Sequence, residues 1–351
     1  MNSLISRRKY YGIRLNNSPM KIPISPVTGK PMRVVYKPDT ETYRGEKYNF
    51  IYVSFFDDAE GESYTTTESD GIWLSQVTNQ YRAKYGVPYT DEIIALRERY
   101  GLSASKMSVI LGFGANQYRL YEMGEVPSES NGKMIRGAMN PRVFFDLVNS
   151  SCHQLTEKEY NKISARAVEI IAKSDSWQYE QRAVGYLFCT RRGEQNGFAP
   201  QSTVRLRNLL LYILEQMGDT FQTKMNKVLF YIDFLSYRER GMAISGLAYN
   251  AIDFGPVPQR WDRVYSAFDD IIPEQRLVHD QETIALTAWA DPDMSVFTEQ
   301  ERAIIDEVCT KMKPLSARDI SDLSHAEPAW QNHLHEAETI PYFEAFSLKA
   351  L

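Results

Sequence analysis

Residues 223–265 read TKMNKVLFYIDFLSYRERGMAISGLAYNAIDFGPVPQRWDRVY. The first part predicts a strongly amphipathic helix over residues 224–240, because its apolar side chains recur at helical spacing. The run 252–258 cannot continue a helix, since a glycine and two prolines interrupt it. A tight turn is therefore expected at Gly255 and Pro256.

Helical patterns also dominate the sequence on both sides of this stretch. Further helices are predicted over residues 155–190, 204–217, 259–268, 298–312 and 316–323, and a strand pair around 276–289. The polar run 191–200, which contains glycine and proline, is predicted as a linker. The expected fold class is α+β, mainly α: a small β domain (1–75), a five-helix module (76–150), a helical linker (151–200) and a mostly helical domain with a short β element (201–351).

Residues 89–150 carry five short helical patterns that are separated by turn signals. Thr90 and Ser103 are placed to cap the first two helices, and the Gly-Phe-Gly run 112–114 predicts the turn before the third. The second and third helices have the spacing of a helix-turn-helix, whose second helix enters the DNA major groove. We therefore predict a DNA-binding module here.

The third helix predicts which side chains would face DNA. Tyr118 and Tyr121 lie three residues apart and are expected to pack inward. Asn and Gln suit adenine, Arg suits guanine, and Ser and Lys suit phosphate. The predicted DNA-binding residues are Ser105, Lys106, Ala115, Asn116, Gln117 and Arg119. The alternative is a helical bundle whose polar residues are exposed by chance.

The charge balance of this module limits its affinity for DNA. Residues 90–150 contain seven basic and seven acidic residues, so the module is neutral. Because phosphate contacts supply much of the affinity for DNA, a homodimer with two half-sites is expected. Glu122 is expected to pair with Arg97 or Arg99 rather than to contact DNA.

The N-terminal region predicts a small sheet. Residues 34–36 and 49–56 are β-branched and aromatic runs, bounded by turn residues. The expected core residues of this sheet are Phe50, Tyr52, Phe55 and Tyr64. Residues 1–20 are either a solvated tail or an arm that contacts the DNA backbone, and their basic residues include Arg7, Arg8, Lys9 and Arg14.

The composition excludes several classes of protein. The net charge of -5 excludes a uniformly basic nucleic-acid coat. Cys152, Cys189 and Cys309 lie too far apart in sequence for a disulfide framework, which suits a reducing compartment. No stretch approaches the roughly 20 apolar residues of a membrane span. We therefore expect a cytoplasmic protein without a membrane partner. Catalytic motifs such as a phosphate loop or nucleophile elbow are absent, so an enzyme is not expected.

Residues 99–128, RYGLSASKMSVILGFGANQYRLYEMGEVPS, resemble the helix-turn-helix of MqsA-type antitoxins in the broader Xre class. The resemblance implies that an Asn at the start of the recognition helix and an Arg one turn later read operator DNA. Asn116 matches the first, but Leu120 occupies the second position, so either Arg119 substitutes or the contact is lost.

The same family opens with a zinc domain that is built on paired CPxCG-like motifs. Here residues 25–29 read SPVTG, and the second pair, near residues 57–61, also lacks cysteine. Structural zinc requires Cys or His ligands, and residues 1–151 contain neither. We therefore predict no zinc, and no other cofactor is implied.

Two stretches of the C-terminal half resemble the Panacea (SocA-like) antitoxin domain. The marks are a Lys-x-x-Lys-x-x-x-Tyr helix, the run FGPVP at 254–258 and the run ISDLSHAEPAW at 320–330. The resemblance implies a domain that binds and neutralises a toxin encoded beside it, or in one branch adapts a toxin for proteolysis. The candidate toxin-binding residues are Lys224, Lys227, Tyr231, Asp233, Tyr249, Phe254, Gly255, Pro256, Pro258, His325 and Trp330.

Two groups of residues in these two stretches also suggest chemistry. His325 with Asp322 and Glu327 has the composition of a catalytic or metal cluster, but no second His lies at ligand spacing. A capped helix end with a hydrogen-bonded His is the expected structure there. Asp233 with Tyr231 is likewise expected to be structural rather than a catalytic pair.

The expected protein is an antitoxin. Its C-terminal domain would bind a cognate protein toxin, and its helix-turn-helix would bind operator DNA as a homodimer and repress the operon. Three alternatives stay open: a transcription regulator whose C-terminal half senses a partner or ligand, a protease adaptor for a toxin, and an enzyme.

Overall fold

The computed structural model describes residues 21–278, 281–334 and 338–351. The chain divides into two compact units, one of residues 78–179 and the other of residues 21–77 and 180–351. The fold is α+β and mainly α, as predicted. The predicted basic segment 1–20 lies outside the described residues.

The N-terminal part of the second unit contains an antiparallel sheet of three strands, β1 (Arg33–Tyr43), β2 (Glu46–Asp57) and β3 (Glu62–Tyr64). Arg44 and Gly45 join the first two strands, and both have positive φ, at 50° and 87°. Two left-handed residues match the twist of a tight hairpin. Of the predicted core residues, Phe50 and Phe55 are buried, whereas Tyr52 and Tyr64 are only half-buried.

Helix α1 (Thr67–Tyr85) packs on this sheet through its first half. Trp73 lies against Phe50, with ring centroids 5.3 Å apart. The side-chain amide of Gln76 accepts a bond from the Ile51 N–H at 3.0 Å and donates to the Ile51 carbonyl at 3.1 Å. Gln76 thereby satisfies both backbone groups of a strand residue.

The unit of residues 78–179 is a helical bundle. The five helices predicted over residues 89–150 are present, and a sixth follows them: α2 (Thr90–Arg99), α3 (Ala104–Ile110), α4 (Gln117–Glu122), α5 (Glu129–Ala138), α6 (Pro141–Ser150) and α7 (Glu157–Ala172). Helix α8 (Ser174–Leu187) contributes residues to both units. Tyr100 and Phe144 stack in the core with centroids 3.7 Å apart.

Two predicted helix starts were tested by this bundle. Ser103 caps α3, because its hydroxyl accepts a bond from the Lys106 N–H at 3.2 Å, as predicted. The prediction that Thr90 caps α2 was wrong: Tyr89 occupies the N-cap position, and its N–H donates to Glu92 at 2.8 Å. The Glu92 carboxylate thus satisfies the N–H of the N-cap residue, whereas a hydroxyl cap would accept from an N–H in the first turn of the helix.

The C-terminal part of the second unit is built around one buried helix. Its elements are α9 (Thr203–Met217), β4 (Thr220–Phe221), α10 (Gln222–Arg240), β5 (Tyr249–Ile252), β6 (Gly255–Pro258), α11 (Trp261–Val264), β7 (Ile271–Val278), β8 (Gln281–Ala288), α12 (Glu299–Met312), α13 (Ala317–His325) and α14 (Pro328–Gln331). Strands β4, β8 and β7 form one sheet in that order, and β5 and β6 form a hairpin. The predicted strand pair is confirmed as β7 and β8.

Helix α10 corrects the prediction of an amphipathic helix. Every residue from Met225 to Tyr237 is buried, so no face of this segment is exposed to solvent. A helix that is buried all round lies in the middle of a core. The polar residues on it, including Lys227 and Asp233, therefore need partners inside the protein.

Two further expectations were wrong. The helix predicted over residues 259–268 is reduced to the single turn α11. The run 191–200 is not an exposed linker, because Asn196, Phe198 and Ala199 are buried. Gly197 has a φ of +57°, and an added Cβ would lie 2.7 Å from the Ala243 Cβ. Glycine and proline here mark close packing rather than freedom of the chain.

Within the described residues, no helix is both long and apolar enough to cross a membrane.

Candidate functional sites

The candidate DNA-facing helix is fixed to its neighbours by Tyr118. Its ring is fully buried, its hydroxyl donates to the Ile93 carbonyl at 2.7 Å, and its N–H donates to the Ser108 hydroxyl at 3.1 Å. One residue thus joins α4 to both α2 and α3. Burial raises the pKa of Tyr118, which keeps the phenol neutral and able to donate.

Helix α4 spans only Gln117–Glu122. It begins at Gln117, with Asn116 at the N-cap position, so Ala115 and Asn116 lie in the turn before it. Ala115, Asn116 and Arg119 are all exposed. The start of α4 therefore presents an amide and a guanidinium to solvent, which are the groups that read adenine and guanine.

The other three predicted DNA-binding residues have internal contacts. The Gln117 amide donates to Glu125 at 3.1 Å, and Lys106 forms an ion pair with Glu159 at 2.8 Å. The hydrogen bond from Lys106 is the main reason that the pKa of Glu159 falls to about 2. Ser105 is exposed, and its hydroxyl lies 3.3 Å from that of Ser103.

Glu122 forms the ion pair within the module that was predicted from the sequence. Glu122 pairs with the Nε of Arg97 at 2.5 Å, and Arg97 also donates to the Leu102 carbonyl at 3.0 Å. This pair ties α4 to the end of α2. Arg99 instead donates to the Met139 carbonyl at 3.0 Å.

In the second unit, Asp233 is a fully buried acceptor that organises the loop after α10. It accepts bonds from the Ile244 N–H at 2.9 Å, the Ser245 N–H at 2.8 Å and the Tyr249 hydroxyl at 2.6 Å, and also from the Ser245 hydroxyl. Burial raises the pKa of Asp233, against the effect of these donors. The Tyr231 hydroxyl bonds to Glu327 instead, so Tyr231 and Asp233 share no hydrogen bond among the described residues.

Glu327 is the partner of Tyr231 and was not among the predicted site residues. It is buried, it accepts a bond from the Tyr231 hydroxyl at 3.2 Å, and it also accepts from the N–H groups of Lys349 at 2.8 Å and Ala350 at 3.0 Å. Glu327 precedes Pro328 at the start of α14, a position where a carboxylate is favourable. The position of Glu327 directly before a proline was the sequence signal from which a role for this carboxylate could have been predicted.

The two lysines of the predicted helix motif bind backbone carbonyls rather than carboxylates. Lys224 donates to the carbonyls of Leu315 at 2.6 Å and Lys313 at 3.1 Å, near the end of α12. Lys227 is 1% exposed and donates to the carbonyl of Phe254. Burial lowers the pKa of Lys227 to about 8.

The run FGPVP forms the turn and second strand of the β5–β6 hairpin. Gly255, Pro256, Val257 and Pro258 are buried, whereas Phe254 at the tip is 75% exposed. Gly255 has a φ of +96°, and an added Cβ would lie 2.7 Å from Lys227 Cε and 2.9 Å from Ser324 Oγ. The glycine is therefore required both by the backbone and by the packing.

Residues of the second C-terminal motif support the same hairpin. The indole N–H of Trp330 donates to the Ile252 carbonyl at 2.8 Å, and His325 stacks on Trp330 with ring centroids 4.3 Å apart. The expected hydrogen bond to the His325 ring is not seen: its Nε2 is buried without a partner in the described part of the chain.

Hydrogen bonds order the segment of residues 25–29 and link it to Asp57, in the region where zinc-binding motifs were considered. Ser25 Oγ accepts from the Thr28 N–H at 3.0 Å, and the Thr28 hydroxyl donates to Asp57 at 2.9 Å. Hydrogen bonds from Ser25 and from the Ala59 N–H lower the pKa of Asp57. Across the described ranges, no three His, Cys, Asp or Glu side chains are grouped as a metal site would need.

Besides the stack of His325 on Trp330, the predicted C-terminal residues make three hydrogen-bonded contacts: Asp233 with Tyr249, Lys227 with the Phe254–Gly255 turn, and Trp330 with β5. Residues 225–331 match the family model described as Antitoxin SocA-like, Panacea domain. This Panacea-like region covers 107 of the 351 residues and contains all three contacts. No curated protein and no solved structure matches the chain. The match supports an antitoxin role in general.

Proposed function

We propose that this protein is an antitoxin that neutralises a cognate protein toxin by direct contact through residues 201–351. The observation that carries the proposal is the Panacea-like region, whose matched segment includes the helix, hairpin and C-terminal motif residues in mutual contact. An exposed aromatic side chain on a well-packed hairpin suits a protein-binding surface. The match also favours binding over catalysis.

The proposal includes operon repression by the helical module of residues 76–150. Supporting it are the α3–turn–α4 arrangement and the exposed Asn116 and Arg119 at the start of α4. Since the module is neutral, one copy would bind DNA weakly, and we propose that a homodimer binds two half-sites of the operator.

Co-expression tests the toxin-binding half. The full chain would be expressed with the product of the adjacent gene in cells whose growth that product arrests. We expect growth to be restored and the two proteins to co-purify. Failure to restore growth contradicts neutralisation. Restored growth together with disappearance of the toxin would instead favour a protease adaptor, and the toxin level distinguishes the two.

DNA binding is tested separately with the full chain and the DNA upstream of its gene. We expect Asn116→Ala and Arg119→Ala each to weaken sequence-specific binding about tenfold, since a good base contact contributes roughly 1–3 kcal/mol. The matched control is Arg142→Ala, which removes an exposed guanidinium from α6. Equal losses in all three variants would mean non-specific electrostatic attraction and would contradict the assignment of α4. Specific binding without any toxin partner would favour a plain transcription regulator.

A further inference from the structure

Phe254 lies at an exposed hairpin tip directly before a buried strand. The four residues after it are all buried, yet its own side chain is 75% exposed at the tip of the β5–β6 hairpin. A single exposed apolar residue is ordinary on a protein surface. What distinguishes Phe254 is how firmly the backbone on both sides of it is held.

Two hydrogen bonds and the close packing at Gly255 hold that backbone. On one side, the Trp330 indole donates to the Ile252 carbonyl at 2.8 Å. On the other side, Lys227 donates to the carbonyl of Phe254 itself. Gly255 leaves no room for a side chain, because Lys227 and Ser324 already fill the space where a Cβ would lie. The tip therefore has little freedom to change its conformation.

The contact from Lys227 is costly in a way that calls for an explanation. Lys227 is 1% exposed, and no carboxylate in the described part of the chain pairs with it. Burial of an ammonium group without a counter-ion is unfavourable, and an apolar residue of similar volume would avoid the penalty. The charge of Lys227 therefore does not stabilise the core. The group that Lys227 holds in place is the Phe254 carbonyl.

Fixing an exposed side chain before binding raises affinity, because less conformational entropy is lost when the partner arrives. Aromatic residues of this kind act as anchors when they enter a pocket on the partner. The adjacent Asp253 is exposed and has no ion pair or hydrogen bond within the described residues. A basic group on the partner would complement its charge.

We propose that the tip Asp253-Phe254 is the anchor by which this chain binds its protein toxin, with Phe254 entering an apolar pocket that is bordered by basic side chains. Lys227 is a positioning residue that acts through the Phe254 carbonyl. This inference rests on the proposed antitoxin function and assigns its contact surface.

The test measures the affinity of the full chain for the purified product of the adjacent gene. We expect Phe254→Ala to weaken binding at least tenfold with an unchanged melting temperature. Phe254→Asp should weaken it further. The matched control is Trp289→Ala, which removes an aromatic side chain of equal exposure, 73%, just after β8. Loss in both aromatic variants alike would overturn the proposal.

Lys227→Met tests the positioning role, because methionine fills similar volume without a charge. We expect binding three- to tenfold weaker while the fold is retained. In the double variant with Phe254→Ala, binding should be no weaker than with Phe254→Ala alone, since Lys227 acts through that residue. Additive losses would overturn the positioning role, because a merely structural residue gives that result.

Two outcomes separate this inference from the function on which it rests. If the wild-type chain does not bind the neighbouring product, the proposed function fails and this inference fails with it. If the wild-type chain binds and Phe254→Asp binds equally well, the function stands and the anchor is wrong. Asp253→Asn should reduce the salt dependence of the association rate, and an unchanged dependence would contradict the basic border.

Discussion

Among single residues, Lys106 has two competing uses. It lies in the first turn of α3, where a phosphate contact is expected, but in the free protein it pairs with Glu159 at 2.8 Å. Any DNA contact by Lys106 must therefore break or share that ion pair. Removal of the competing carboxylate should release the ammonium group for DNA.

Glu159→Gln is the variant that makes this change, since glutamine can still accept the Thr156 N–H that caps α7. We expect DNA binding to become a few-fold tighter, and the slope of log affinity against log salt to steepen by about one. Gel shifts at several salt concentrations measure both quantities. The control is Glu169→Gln on the same helix, whose partners are Arg166 and Lys173. Equal tightening in both variants would show a general charge effect and exclude a role for Lys106.

A second residue-scale prediction concerns the pH dependence of Asp233. Burial raises its pKa in the folded state, so its contribution to stability is full below the unfolded pKa, near 3.8. That contribution is lost as the pH rises through the folded-state value. Asp233→Asn lacks this titration, and we expect the stability difference between wild type and variant to shrink as the pH rises.

Asp319→Asn is the matched comparison, because hydrogen bonds from Ser316 lower the pKa of Asp319 instead. Its contribution is present above the unfolded pKa and is lost as the pH falls, so the stability difference should grow with rising pH. Urea unfolding between about pH 2 and 7 measures both variants, because the change for Asp319 falls below its unfolded pKa. If the stability differences of the two variants changed with pH in the same direction, Asp233 would instead be stabilised as the carboxylate by its four donors.

At the scale of elements, the segment around Gly197 makes a prediction about packing. Its φ is +57°, and an added Cβ would lie 2.7 Å from Ala243 and 2.8 Å from the Tyr342 ring. Gly218 also has positive φ, at +74°, but a Cβ there meets nothing within 4 Å. Alanine at either position strains the backbone, whereas only Gly197→Ala also overpacks the core.

We expect Gly197→Ala to lower the free energy of unfolding by about 1–3 kcal/mol more than Gly218→Ala does. Urea denaturation of the two variants beside wild type gives the difference. Equal losses would show that backbone strain accounts for the whole effect and that the 191–200 segment yields easily. The same result would support the prediction from the sequence that this segment is a linker.

These elements also show what could be predicted from the sequence and what could not. Helices bounded by caps and glycines, such as α3 after Ser103, were predictable because their signals are local. The burial of α10 on all sides was not predictable, because the polar side chains of Lys227 and Asp233 indicate an exposed face unless their partners, 11 to 27 residues away, are known. The Phe254 turn was predictable from glycine and proline, but its anchoring by Trp330 was not.

At the scale of the whole molecule, the two proposed activities rest on residues in different compact units. Asn116 and Arg119 belong to the unit of residues 78–179, and Phe254 belongs to the other. Since neither set shares a described hydrogen bond with the other, substitutions should act on one activity at a time.

The decisive comparison places two full-length variants in cells that carry both the toxin gene and a reporter behind the native promoter. The double variant Asn116→Ala and Arg119→Ala should lose repression, with reporter output rising about tenfold or more, and should still restore growth. Phe254→Asp should lose growth rescue and keep repression. If either variant lost both activities while its melting temperature stayed unchanged, one surface would serve both partners. Toxin and operator would then compete for that surface, and purified toxin would displace the wild-type chain from DNA.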